Sequence, residues 1–222
     1  MGLSRSGSSK DNPRGFWDDF WRVRSVKGTG SRAKARMIDI VSNYTRPGDS
    51  ALDAGCGSGF FSSHFISSGC NVYSLDYSEQ ALLVTKGRTE GKAKAYIKMD
   101  ILDEEALSDI GTRFDVIFTD GLLEHYSNEE QDRIIRNMKR LKRENGCMIN
   151  FVPNRFSFWS MIRPFYIGIK ERPFLMKEFL DLHARNGLKI ISSGGINVVP
   201  FGISPERSLG RHFGMLFYCV AV

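Results

Sequence analysis

The 222-residue sequence predicts an α/β fold in which helices cover both faces of one mostly parallel sheet. Two observations favour this class: short apolar runs alternate with helical stretches beyond Pro47, and a glycine-rich segment directly follows the first run. The composition, 41% hydrophobic and 25% charged, is typical of one globular domain, here residues 13–222. The seven predicted strands cover residues 51–54, 72–75, 95–99, 114–119, 147–152, 188–192 and 214–220.

The part of the chain before the first predicted strand divides into two segments. Residues 1–12 are rich in serine and glycine and cannot bury a core, so we expect them to be disordered. Residues 13–46 are predicted to form a helical cap. This cap has an aromatic cluster at 16–21 and a predicted helix at 31–44 that ends before Pro47.

Composition also bears on location and partners. The formal charge of +6 is spread over many positions, so it is compatible with an anionic partner without indicating one. The four cysteines are far apart and form no Cys-x-x-Cys pair, which favours reduced thiols over a metal site. No apolar run is long enough to span a bilayer and the N-terminus lacks a secretory signal, so we expect a cytoplasmic protein.

Two helices carry clear end signals. Ser127 and Glu130 form a predicted capping box, and the helix that follows has an apolar stripe on one face. The opposite face is basic, which we interpret as a solvated surface rather than a nucleic-acid site. A second helix is predicted over 174–186, with Gly187 as its left-handed C-terminal cap. The apolar stripe comprises Ile134, Ile135, Met138 and Leu141.

The glycines after the first strand predict a ligand at the carboxyl end of that strand. Gly55, Gly57 and Gly59 let the backbone turn tightly and let a ligand lie against the main chain. Their Gly-x-Gly-x-Gly spacing differs from the Gly-x-Gly-x-x-Gly fingerprint of dinucleotide sites. The loop is therefore predicted to hold a ligand that lacks a pyrophosphate.

Carboxylates close three successive strands beside this loop. Asp53 precedes the glycines, and Asp76 follows them by about 20 residues, near the offset at which a carboxylate meets a ribose diol. Asp100 closes the third strand. These three side chains suit a ligand with an ammonium group, a ribose and an adenine amine, which together describe S-adenosylmethionine.

On these motifs the sequence resembles the class I S-adenosylmethionine-dependent methyltransferases, in particular the type 11 group, over about residues 32–222. The resemblance implies a Rossmann-like, seven-stranded, mostly parallel sheet whose last strand is antiparallel. It also implies that S-adenosylmethionine is the cofactor. The matching segments are residues 53–59, 75–78, 99–101 and 114–125.

The resemblance implies roles for residues at the methionine end of the cofactor. Gly55 and Gly57 would lie under the methionine part, in the motif that Gly59 completes. Asp53 would face the ammonium group of the methionine part. Asp120, after the fourth strand, matches a position near the methyl group that is transferred.

The resemblance assigns the adenosine end to the next two strand ends. Asp76 would bind both ribose hydroxyls, and Tyr77 would pack on the adenine. Asp100 and Ile101 would contact the adenine amine and ring. The aromatic residues of the N-terminal cap are expected to form the opposite wall of the site.

The sequence is also similar to ubiquinone-biosynthesis O-methyltransferases, which share Leu123-Glu124-His125 and the pair Asn154-Arg155. Those enzymes carry a glutamate three residues before the Glu-His pair that contributes to a magnesium site, whereas this chain has Gly121 there. We therefore expect no metal. His125, Asp120 and Glu124 are candidates for a general base by position, and no spacing singles one out.

Residues 155–177 form a predicted amphipathic insertion. If this segment is helical, one stripe is apolar and aromatic, and the stretch holds five Lys or Arg against one Glu. Such a composition is typical of a peripheral membrane segment or a lid over a hydrophobic substrate. The alternative is an insertion that packs into the core. The stripe comprises Phe158, Trp159, Ile162, Phe165, Tyr166 and Ile169.

Together these features predict a methyltransferase that acts on a small hydrophobic or aromatic molecule, with O-methylation preferred. The Asn/Asp-Pro-Pro-aromatic motif of many nucleic-acid amine methyltransferases is missing after the fourth strand, where the sequence reads Thr119-Asp120-Gly121-Leu122. The alternatives are a protein or RNA methyltransferase and a catalytically silent member that binds the cofactor. The oligomeric state is not readable from the sequence.

Overall fold

The computed structural model describes residues 13–23, 32–157, 160, 171–198 and 206–222. Within them a seven-stranded sheet has the order β3-β2-β1-β4-β5-β7-β6. Strand β7 pairs antiparallel with both β5 and β6, and the other pairings are parallel, which confirms the predicted class. The strands are β1 (Ser50–Ala54), β2 (Asn71–Asp76), β3 (Ala95–Lys98), β4 (Phe114–Asp120), β5 (Lys142–Pro153), β6 (Ile190–Ile196) and β7 (Leu216–Ala221).

Helices connect these strands and cover both faces of the sheet. A short 3-10 helix, Leu123–His125, follows β4 directly. The capping box predicted at Ser127 and Glu130 is present and begins the helix after it. The helices are α1 (Pro13–Val23), α2 (Arg32–Ser42), α3 (Phe60–Ser67), α4 (Glu79–Arg88), α5 (Glu104–Ser108), α6 (Asn128–Leu141), α7 (Met176–Arg185) and α8 (Glu206–Phe213).

The strands alternate their side chains between two apolar layers, one on each face of the sheet. In β4, Val116 belongs to the layer under α2 and α3, whereas Ile117 belongs to the layer under α6 and α7. The predicted stripe of α6 is buried in the second layer. Each large apolar side chain buried in this way contributes about 1.5–3 kcal/mol, so both layers hold the sheet in place.

The strand order reverses between β1 and β4, which are adjacent in the sheet although β2 and β3 intervene in sequence. Asp53 of β1 pairs with Phe118 of β4 and with Ser74 of β2, so the carboxyl ends of the three strands lie at one edge. In open α/β sheets, ligands bind at such a reversal, outside the carboxyl ends of the strands. The fold therefore puts the glycine loop where a ligand is expected.

Several predicted boundaries shift in the structure. The helix predicted from residue 174 begins at Met176, because Phe174 forms a β-bridge with Asn154. Strand β5 begins at Lys142 rather than at residue 147, because Lys142 already pairs with Phe114 across a register shift. Strand β6 extends to Ile196, four residues beyond the predicted end. Gly187 has a φ of 72°, which confirms the left-handed cap.

The third strand ends at Lys98, so Asp100 lies two residues beyond it rather than at its end. The four cysteines are free thiols, and three of them are buried. No helix in the described part of the chain is long and apolar enough to cross a membrane. The predictions for residues 1–12 and for the apolar stripe of the insertion lie outside the described residues.

Basic side chains of α6 form hydrogen bonds and an ion pair with other segments of the protein. Lys139 donates to the backbone oxygens of Asn186 and Gly187, and Arg133 donates to that of Leu102. Arg140 forms an ion pair with Glu104. These contacts tie the basic side chains of α6 to neighbouring segments of the protein.

Candidate cofactor and acceptor site

The glycine loop has the backbone that its sequence predicts. Gly55, Gly57 and Gly59 have φ values of 74°, 49° and 68°, in the left-handed region that residues with a side chain rarely adopt. A Cβ on Gly59 would lie 2.8 Å from the Cα of Thr85 in α4. The glycines are therefore required both by the turn and by the close approach of a neighbouring helix.

Asp76 ties this loop to the end of β2. Its side chain is 8% exposed, and its two oxygens accept hydrogen bonds from the backbone N–H groups of Gly57, at 3.0 Å, and Ser78, at 2.9 Å. Burial raises the pKa of Asp76 to about 6, against the effect of these donors, which lower it. At neutral pH the carboxylate is mostly ionised and held in one orientation next to the loop.

Asp53 lies beneath the loop rather than on its surface. Its side chain is 3% exposed and accepts a hydrogen bond of 2.6 Å from the hydroxyl of Ser62 in α3. The same hydroxyl lies 2.8 Å from that of Ser74 in β2. Burial raises the pKa of Asp53 to about 6, while the hydrogen bond from Ser62 and the charge of Lys34 lower it. Asp53 thus joins β1 to α3 at the base of the predicted methionine site.

The residues predicted to bind the adenine follow β2 and β3. Tyr77 is half-buried, and burial together with the nearby Tyr126 raises the pKa of its phenol. Asp100 accepts a hydrogen bond of 2.9 Å from the backbone N–H of Leu102. Ile101 is 4% exposed, so most of its surface packs into the protein. The structure brings these three residues to the same edge of the sheet as Asp76.

Helix α1 lies over the loop, which it contacts with an aromatic side chain, and it contacts the end of β2 with an acidic one. A Cβ on Gly57 would lie 2.7 Å from the indole of Trp21, so this ring sits directly against the glycine. Asp18 accepts a hydrogen bond of 2.5 Å from the hydroxyl of Ser78. The ring of Trp17 meets that of His125 edge-on, with centroids 5.0 Å apart. The helix therefore spans the site from the end of β2 to the end of β4.

The end of β4 carries the predicted acceptor side of the site. The Nε2 atom of His125 lies 3.9 Å from an Oε1 of Glu171, and both side chains are largely buried. Ligand atoms of Glu124, His125 and Glu171 all lie within 4.8 Å of one another. A Cβ on Gly121, where φ is 73°, would lie 3.3 Å from Oε1 of Glu124. A larger side chain at that position would press on Glu124.

Several residues at this edge were missed by the sequence analysis. Lys34 on α2 forms an ion pair of 3.3 Å with Asp120, and Glu171 reaches His125 from beyond β5. Asp18 reaches Ser78 from α1. These contacts join segments that are far apart in sequence, so no local spacing could have indicated them. The aromatic cluster of the cap was the one available signal for α1.

The family of the chain follows from comparison with known proteins. Residues 45–160 match the family model described as methyltransferase domain. The chain belongs to this methyltransferase family. Membership confirms the predicted enzyme class, an S-adenosylmethionine-dependent methyltransferase, and agrees with the glycine loop and the carboxylate of Asp76.

Two relatives are O-methyltransferases. The malonyl-[acyl-carrier protein] O-methyltransferase of Enterobacter lignolyticus is 31% identical over 164 residues, which cover 71% of this chain and 62% of that protein. The magnesium-protoporphyrin O-methyltransferase of Synechocystis is 28% identical over 171 residues, which cover 76% of this chain and 71% of that protein. This chain thus spans less than two thirds of the length of the first of these relatives.

Solved structures share the fold. The magnesium protoporphyrin IX methyltransferase of Synechocystis, with bound S-adenosylmethionine, superposes with a TM-score of 0.67 at 17% identity and covers 99% of both chains. A methyltransferase from Archaeoglobus fulgidus superposes with a TM-score of 0.68 at 16% identity, over 95% of this chain and 99% of that one. At these identities the likeness concerns the fold alone.

Proposed function

We propose that this protein transfers the methyl group of S-adenosylmethionine to an oxygen of a small, hydrophobic or aromatic acceptor. One observation carries the proposal: the titratable His125 lies against the aromatic Trp17 at the end of β4, next to the cofactor edge. An aromatic wall with an adjacent proton acceptor suits a phenol or enol better than a charged macromolecule. The O-methyltransferase relatives support the choice of oxygen.

Methyl transfer from a sulfonium is an in-line displacement, and the cofactor supplies the electrophilic methyl group when it is bound. The residues of the chain have to hold the donor, align the acceptor and exclude water. Asp76 and the glycine loop provide the fixed edge. Trp17 and Trp21 of α1 lie over that edge, against His125 and Gly57, in the position from which side chains would exclude water.

A hydroxyl acceptor must lose its proton during the transfer. The candidates for the proton acceptor are Asp120 at the end of β4 and Glu124 and His125 in the 3-10 helix after it, with Glu171 close to the histidine. Glu124 is 1% exposed, whereas the side chain of His125 is 12% exposed, so the histidine is the more accessible of these two. The general base remains unassigned among the three candidates. The likeness to ubiquinone-biosynthesis enzymes also stays a prediction. If it holds, it identifies the chemical class of the acceptor.

The test is to incubate the protein with S-adenosylmethionine carrying a labelled methyl group and with fractions of a cell extract. We expect label in a small organic-soluble product and equimolar release of S-adenosylhomocysteine. The Asp76→Ala variant is the control that should lose both. Label that disappears after protease or nuclease treatment of the extract would identify a protein or RNA acceptor instead. Cofactor binding without label transfer to any fraction would identify a silent family member.

A second proposal concerns membrane association through residues 155–177. Phe156 is 68% exposed and Phe213 is 54% exposed. The side chain of Asn154 holds both segments: it accepts from the backbone N–H of Phe156 and donates to the backbone oxygens of His212 and Gly214. Two exposed aromatic side chains therefore flank one buried asparagine, and one of them, Phe156, belongs to residues 155–177. An apolar surface with nearby cations is suited to an anionic membrane.

Sedimentation with liposomes tests this association. The protein should bind vesicles that contain anionic lipid at low salt and should be partly released at high salt. The double change Phe156→Ser and Phe213→Ser should reduce binding. Leu83→Ser is the matched control, because Leu83 is 56% exposed on the distant helix α4. A wild-type protein that stays in the supernatant would overturn this proposal and leave the methyltransferase assignment untouched.

A further inference from the structure

A cavity of about 570 Å³ opens between α5 and the end of α6. Arg113, which directly precedes β4, and Arg143, near the start of β5, belong to its lining. Strands β1, β4 and β5 are parallel, so these two residues lie at the amino ends of the strands, whereas the glycine loop follows the carboxyl end of β1. The length of β4 therefore separates this cavity from the predicted cofactor site.

The lining of the cavity is rich in guanidinium groups. It contains Arg113, Arg140 and Arg143, and Glu104 is its one acidic residue among those that the structure describes. Arg140 pairs with Glu104, and Arg143 donates to both carboxylate oxygens of Asp115, at 2.7 and 2.9 Å. Within the described residues Arg113 forms no ion pair, and its guanidinium donates to the backbone oxygen of Arg140. The lining thus carries an excess of positive charge.

The same cavity also offers apolar surface. Leu107 and Leu141 line it and are 3% and 7% exposed, and Thr112 adds a hydroxyl group. Pockets for small molecules typically enclose about 300–1,000 Å³ and combine apolar surface with a few polar groups. The size and the lining therefore suit a small organic molecule with an anionic group better than a bare ion.

We propose that this cavity binds a small molecule through a phosphate monoester group, with the phosphate among the three guanidinium groups and the organic part on Leu107 and Leu141. A phosphate monoester carries a charge of about −1.5 to −2 at pH 7 and has three strong acceptor oxygens. Each guanidinium has five N–H donors in a fork that matches such oxygens, more than the contacts described above use. A carboxylate has less charge and fewer oxygens, so it would leave more of these donors unused.

Calorimetry with phenyl phosphate tests the proposal, because this compound joins a phosphate monoester to an apolar ring. The wild-type protein should bind it with a Kd of about 1 mM or tighter. Benzyl alcohol, which has the ring without the phosphate, should not bind detectably. The affinity for phenyl phosphate should be the same with saturating S-adenosylhomocysteine, because the cofactor is predicted at the other end of β4. Loss of binding under that condition would place the phosphate at the glycine loop and overturn the proposal.

A variant of Arg113 tests the position of the site. Arg113→Gln should weaken binding of phenyl phosphate at least about tenfold, as expected for a lost charge-assisted hydrogen bond. Arg113→Lys keeps the charge without the fork and should lose less affinity. The matched control is Arg211→Gln: Arg211 is also exposed, but it lies on α8 and contacts Ser193 of the edge strand β6. This control should bind phenyl phosphate as the wild-type protein does.

A role of Arg113 that is limited to holding the end of α6 predicts a different result. Arg113→Gln would then lower the melting temperature and leave the affinity unchanged. That result, or no binding of phenyl phosphate by the wild-type protein, would overturn the proposal. Arg113-dependent binding that occurs only with vesicles containing phosphatidic acid would assign the site to a lipid headgroup and overturn the small-molecule assignment.

If Arg113→Gln does not fold, backbone amide resonances of the wild-type protein locate the ligand. Phenyl phosphate should shift the resonances of Gly111, Thr112 and Arg113, which line the cavity. Shifts confined to other parts of the chain would overturn the proposal.

Discussion

The two sides of the site are built in different ways. The cofactor side, at the ends of β1 and β2, consists largely of backbone: a loop with three left-handed glycines, whose N–H group at Gly57 is held by Asp76. The acceptor side, beyond β4, consists of side chains from three separate segments, represented by Trp17, His125 and Glu171. The first side is fixed by local chain geometry, and the second by packing between distant segments.

This difference indicates where the protein can vary. A substitution in the glycine loop changes the backbone itself, so one position affects the whole turn. A substitution on the acceptor side removes one wall and leaves the sheet in place. We therefore expect cofactor binding to be sensitive to single changes and acceptor binding to be adjustable.

The largest expected effect is at the cofactor side. Asp76→Ala should weaken binding of S-adenosylhomocysteine by about a hundredfold or more, because each charge-assisted hydrogen bond to the ribose contributes about 1.5–3 kcal/mol. Calorimetry measures the affinity. The control is Asp103→Ala, which removes the cap of α5 and should lower only the free energy of unfolding, by about 1 kcal/mol. Unchanged affinity in a folded Asp76→Ala protein would show that the cofactor does not bind at the predicted position.

A smaller effect is expected from pH, again on the cofactor side. Burial raises the pKa values of Asp53 and Asp76 to about 6, and we expect the cofactor to be bound by their ionised forms. Affinity for S-adenosylhomocysteine should therefore be full above about pH 7 and fall as the pH drops through 6, by about tenfold per unit for each carboxylate. Titrations at a series of pH values measure this slope, and Asp76→Asn should reduce it.

The same raised pKa values affect the stability of the fold in the opposite direction: affinity for the cofactor rises with pH, whereas the free energy of unfolding falls. In the folded protein the pKa values of both groups exceed the ordinary value of 3.8. Ionisation of these groups therefore lowers the free energy of unfolding as the pH rises from 3.8 to about 6. The ligand-free protein should thus lose stability from these groups over that window. A pH dependence of stability that is identical in the wild-type protein and in Asp76→Asn would contradict the raised pKa of Asp76.

The smallest expected effect is on the acceptor side, from metal removal. EDTA should leave turnover unchanged if the predicted likeness to ubiquinone-biosynthesis enzymes holds, because this chain has Gly121 at the position where that likeness implies a magnesium-binding glutamate. The cluster of Glu124, His125 and Glu171 makes this a demanding test, since its ligand atoms lie within 4.8 Å of one another. Activity lost to EDTA and restored by magnesium would show that the cluster holds a metal.

The same contrast explains what the sequence could predict. A left-handed turn demands glycine, so the loop and the class of the fold around it were predicted from the sequence. The capping box at Ser127 is equally local, and it was confirmed. The contacts of Lys34 with Asp120 and of Glu171 with His125 depend on how distant segments pack, and such contacts leave no fixed spacing in a sequence.

The position of α1 has an optical consequence. Two of the three tryptophans of the chain, Trp17 and Trp21, lie on this helix, against His125 and Gly57. Indole emission shifts with exposure to water, so any movement of the helix changes the fluorescence of the unlabelled protein. Replacing Trp159 with phenylalanine leaves these two rings as the sole emitters of this kind. The fluorescence of Trp17 and Trp21 can therefore report movement of α1 at the predicted site without an added label.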